Sequence, residues 1–140
     1  MADLADIRAG IAANIRAKFP DAMVTGYNIA NALAPAFEVE LDRIVYDQAM
    51  SRGNDEWTFT IRGFAASGTD KASQMRLDPW LSSTGAESVK AALESDRTLG
   101  GAVSDSFVVS MAKMAVFSPI GGSTDLFGAE WVFRAVAAGD

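Results

Sequence analysis

Residues 43–64, RIVYDQAMSRGNDEWTFTIRGF, constrain the fold more than any other stretch of this 140-residue chain. Trp57, Phe59 and Ile61 alternate with Thr58, Thr60 and Arg62, the period of a strand with one face in a core and the other in water. A turn at Arg52-Gly53-Asn54 separates this run from an earlier β-forming run, so a tight turn makes the pair an antiparallel hairpin. Its length predicts a tip, Asp47 to Glu56, that projects beyond the body of the domain. The tip mixes Met50, Arg52 and Asn54 with the acids Asp47, Asp55 and Glu56 and contributes little to a core. Two readings stay open for it, a solvated hairpin and a docking element.

The strand before the hairpin, 35–41 (PAFEVEL), alternates Phe37, Val39 and Leu41 with Glu38, Glu40 and Asp42. Ile44 and Tyr46 share the parity of those acids, which predicts a bulge or bend near Asp42-Arg43. Residues 22–28 form a short, weak strand, and 102–117 and 127–137 form long ones, the last with Phe127, Trp131 and Phe133 on one side. Leu4, Ile7, Ile11 and Ile15 recur at helical spacing, with Arg8, Asn14, Arg16 and Lys18 at other positions, so 3–18 is an amphipathic helix ended by Phe19-Pro20. A second helix starts with Thr69 as N-cap and Asp70 in its first turn, and ends before Pro79. A third is signalled by Ser83-Thr84-Gly85 and Glu87, with Val89, Ala92 and Leu93 facing inward. SPIGGST, 118–124, is a turn or loop.

Strands and helices are segregated along the chain instead of alternating as βαβ units. The fold class is therefore α+β, with an antiparallel or mixed sheet of about four to five strands, helices packed on one face and a projecting β-hairpin. Residues 1–140 make a single domain, long enough to bury a core without disulfides or metals.

Composition narrows the chemistry. The chain has no Cys and no His, which removes thiolate catalysis, the usual zinc and haem ligands, and the commonest general base at neutral pH. Its net charge of −6 argues against specific nucleic-acid binding, since duplex contact needs clustered Lys and Arg. Neither a signal peptide nor a membrane span is visible.

Gly100-Gly101 poses the question of a phosphate loop. The pair follows a helix, precedes a strand and lacks a Gly-Lys-Ser/Thr sequence, so a helix stop with glycine in the left-handed C′ position is expected instead. Glu38, Glu40 and Asp42 splay as strand neighbours and do not form a cation loop; Arg62 is a candidate cross-strand partner for one of them. None of the serines sits in Gly-x-Ser-x-Gly, and Ser73 lacks the lysine of a Ser-x-x-Lys dyad. No catalytic, cofactor or metal site is expected, and the chain is not expected to be an enzyme.

Three stretches taken together resemble the tail terminator proteins of long-tailed bacteriophages, particularly those infecting actinobacteria. They are Tyr46 to Thr60 in the hairpin, Leu77-Asp78-Pro79-Trp80-Leu81 with Ser88 to Leu93, and Arg97-Thr98-Leu99-Gly100-Gly101 leading to Gly128-Ala129-Glu130-Trp131. The likeness in spacing covers roughly residues 1–137. It implies a virion protein, made in the host cytoplasm, that forms a homo-oligomeric ring, typically a hexamer. The ring would cap the major tail tube protein, stop its polymerisation and meet a head-side connector or stopper protein. DNA would pass through it without specific binding, and no membrane is involved. By the same resemblance Asp47, Met50, Arg52, Asn54 and Asp55 in the hairpin, with Arg97 beside the Leu99-Gly100-Gly101 corner, are the candidate contacts with a neighbouring subunit, the tube or the lumen. The alternatives are another neck or tail-completion protein, and a small acidic domain holding a peptide or apolar ligand on the aromatic strands Trp57 to Phe59 and Trp131 to Phe133.

Overall fold

The computed structural model describes residues 3–27, 35–46, 54–66, 71–117 and 126–138. Its elements are α1 (Leu4–Lys18), β1 (Met23–Val24), β2 (Ala36–Val45), β3 (Asn54–Ala66), α2 (Lys71–Leu81), α3 (Val89–Leu93), β4 (Asp105–Phe117) and β5 (Leu126–Ala138). The strands form one mixed sheet in the order β1-β2-β3-β5-β4, so the α+β class holds. All neighbouring pairs are antiparallel except β1, which runs parallel to β2.

Period-2 patterning decides which side of the sheet is covered. Phe37 and Val39 of β2, Phe59 and Ile61 of β3, and Trp131 and Phe133 of β5 point to one face, where Ile7, Ile11 and Ile15 of α1, Leu77 and Trp80 of α2, and Val89 and Leu93 of α3 meet them in one core. Fully burying each such side chain contributes about 1.5–3 kcal/mol. Trp57, Phe59, Trp131 and Phe133, the aromatics that suggested a ligand-holding face, are all buried in this core. A small second cluster of Ala36, Phe64 and Leu126, with Phe117 against it, lies on the opposite face.

The expected irregularity near Asp42-Arg43 is present as a register shift between Leu41 and Arg43, which lets Ile44 rejoin the core side opposite Trp57. Other expectations are corrected. The weak strand over 22–28 shortens to Met23–Val24, and the strand over 102–117 begins only at Asp105. Asn54 to Glu56 are not part of a projecting tip: they begin β3 and pair with Ala138 to Val136 of β5. The remainder of the tip, 47–53, the N-cap Thr69 with Asp70, and the 118–124 loop lie outside the described residues. Asn14, off the isoleucine stripe, is buried too, its amide donating to the carbonyls of Leu93 and Asp96.

Pro79 lies inside α2 instead of beyond it. Proline forfeits one helical hydrogen bond, but the last turn is held from outside by packing. Trp80 is buried with its ring 4.7 Å from that of Phe37, stacked, and 5.4 Å from that of Phe19, edge-on. For α3 the N-cap is Ser88, whose hydroxyl accepts from Ala91 N–H at 3.1 Å. The expected start near Ser83-Thr84 precedes the helix, which leaves that signal in the α2–α3 connection.

β3 and β5 approach unusually closely at one point. A Cβ added to Gly128 would lie 1.9 Å from the Gly63 carbonyl oxygen, backbone that cannot move without breaking the ladder. Gly128→Ala should therefore lower unfolding free energy by about 1–3 kcal/mol or more, in the range of overpacking. Urea denaturation monitored by tryptophan fluorescence measures it, and an unchanged midpoint would mean the strands can separate locally at no cost.

Candidate functional site

On the sheet face that the helices leave uncovered, cross-strand register assembles a row of alternating charge. Glu38 of β2 stands opposite Arg62 of β3, Arg62 opposite Glu130 of β5, and Glu130 opposite Lys113 of β4. Arg62 makes its closest contact with Glu40 at 2.7 Å, then Glu130 at 3.3 Å and Glu38 at 3.8 Å. The expected cross-strand role of Arg62 is thus met, by three carboxylates instead of one. Burial of the guanidinium opposes its charge, yet the hydrogen bond it donates to Glu40 and the fields of Glu130, Glu40 and Glu38 outweigh burial and hold its pKa above the ordinary value. Asp42, the third acid of the strand, accepts a hydrogen bond from Thr60.

Further along the same face Arg134 stands opposite Thr58 and 3.3 Å from Glu56. The Arg134 Nε and the Thr58 hydroxyl are both buried without an aligned hydrogen-bond partner, so this ion pair is electrostatic in character and poorly directed. Chemically, the face is a set of committed charges. Among the described residues no group of acids is placed to hold a metal ion, and no helix is long and apolar enough to cross a membrane. An open groove of about 520 Å³ at the C-terminal end of α1 is lined by Phe19, Trp80, Pro79 and Met75, with Lys18 and Arg76 of one sign and Asp21 and Glu87 of the other. Its charges balance and no polar cluster converges in it.

The second candidate region is the connection between α3 and β4. Arg97 forms a two-pronged ion pair with Asp105, both contacts at 2.8 Å, with each side chain about half exposed. The Asp105 carboxyl is held below its ordinary value chiefly by the Arg97 hydrogen bond, and Asp96 is lowered by Thr98 and by the Gly100 N–H. α3 ends at Leu93 with Glu94 as its C-cap at φ −97°, so Gly100-Gly101 is not its C′ stop. The pair instead completes a left-handed run, Leu99 at φ 52°, Gly100 at 72° and Gly101 at 92°, in a turn closed by Gly101 and Val103 N–H donating to the Thr98 carbonyl. Leu99 is buried against Gly10 of α1, where a Cβ would lie 2.6 Å from the Leu99 Cβ.

Of the candidate contact residues, Asp47, Met50 and Arg52 lie outside the described residues, Asn54 and Asp55 open β3, and Arg97 sits in the α3–β4 connection. The sheet brings the last two sets to one end: Val45, Glu56, Val136 and Asp105 are successive partners across four strands, and Asp105 carries Arg97 with it. Lys113 and Arg134 are not marked by the sequence, and Glu130 enters there only within the Gly128-Ala129-Glu130-Trp131 stretch. The parity of Glu130 between Ala129 and Trp131 marks it as facing away from the core, but only register shows what it faces.

Comparison of the chain with known protein families and with curated proteins finds no match.

Glu94 ties α3 to the edge strand, accepting from Lys90 at 2.7 Å and from the Val108 N–H at 2.9 Å. Burial alone would raise its pKa; the Lys90 and Val108 hydrogen bonds and the charges of Lys90 and Arg97 win and lower it. A depressed carboxylate stabilises the fold above its unfolded pKa, and that contribution fades as pH falls through the folded value. Glu94→Gln should cost roughly 1 kcal/mol at neutral pH. The difference from the parent protein should shrink on acidification below the ordinary glutamate range; chemical denaturation at several pH values reads it. Arg62→Met, which strands three carboxylates on a half-covered face, should cost more, about 1–3 kcal/mol between exposed and buried ion-pair limits.

Proposed function

We propose that this chain is a structural assembly protein, a tail terminator that forms a ring on the end of a phage tail tube and joins the tail to the head-side connector. The motif order from Tyr46 to Trp131 supports this reading. The observation that carries it furthest is the shape of the subunit: a single sheet with helices on one side, an ion-paired face on the other, and two edges at opposite ends of the strand order. A closed ring needs two different surfaces on one small chain, repeated until the rotation returns to its start. A sheet with two unlike edges offers such a pair.

The uncovered face also suits a passage for DNA. Arg62 and Arg134 are committed to carboxylates, so the cations there are engaged instead of clustered for phosphate, and the chain's net charge of −6 disfavours retention of a polyanion.

Deleting the gene from a phage genome that encodes the chain tests the reading. Electron microscopy should show tails of uncontrolled length, or tails that fail to join heads, with normal morphology restored by expression in trans. Normal tails on intact virions would refute it. Tails of regulated length carrying the protein elsewhere in the neck would replace it with a connector role.

A further inference from the structure

We draw no further inference here: the strongest candidate, the exposed apolar patch of Val109, Met111, Met114 and Val116 along the β4 edge of the sheet, carries none, because nothing in the structure shows what covers it.

Discussion

The register between β3 and β5 is the constraint on which the rest of this structure depends. Twelve residues of β3 find partners on β5, from Asn54 with Ala138 to Ala66 with Phe127, and the two backbones meet at Gly63 and Gly128 where no side chain fits. Because side chains alternate, a slip of one residue would turn Trp131 and Phe133 into water and drive Glu130 and Arg134 into the core. Holding that register keeps Phe59, Ile61, Trp131 and Phe133 against the helices. The same register sets Arg62 between Glu38 and Glu130 on the other face.

From this central pair the structure is tied outward by polar contacts to backbone. α1 reaches the α3–β4 connection through Asn14, which donates to Leu93 and Asp96, and through Gly10, which receives Leu99. A leucine at positive φ costs about 1–2 kcal/mol, and burial of the Leu99 side chain against a residue without Cβ offsets it. The connection in turn seats the edge strand: Glu94 accepts from Val108, the Ser106 hydroxyl donates to the Arg97 carbonyl at 2.8 Å, and Arg97 holds Asp105. The start of β4 is therefore anchored by three separate contacts. From Val109 to Met114 the strand is exposed.

That gradient separates the parts of the chain that maintain the fold from those left exposed at its surface. The helix side is closed by large apolar packing. The uncovered face carries carboxylates paired with Arg62 and, in a poorly aligned contact, with Arg134. Among the described residues, the edges carry most of the large exposed apolar side chains, with Met75 of α2 apart from them.

Patterns of short range were legible in the chain: the isoleucine stripe of α1, the alternation of β2, β3 and β5, the bulge forced by Ile44 and Tyr46 sharing the parity of the acids, and Arg62 as a partner for them. Each follows from side-chain periods of 3.6 or 2, which any stretch of sequence displays without reference to the rest. What only the tertiary structure decided is of another kind. Pro79 stays helical because Phe19 and Phe37 hold Trp80; Gly100-Gly101 forms a turn of its own because Leu99 has a place beside Gly10; Lys113 and Glu130 extend the row begun by Glu38 and Arg62 because β5 inserts between β3 and β4. These depend on residues tens of positions apart, and a local period specifies which side of a strand faces inward but not which strand lies beside it.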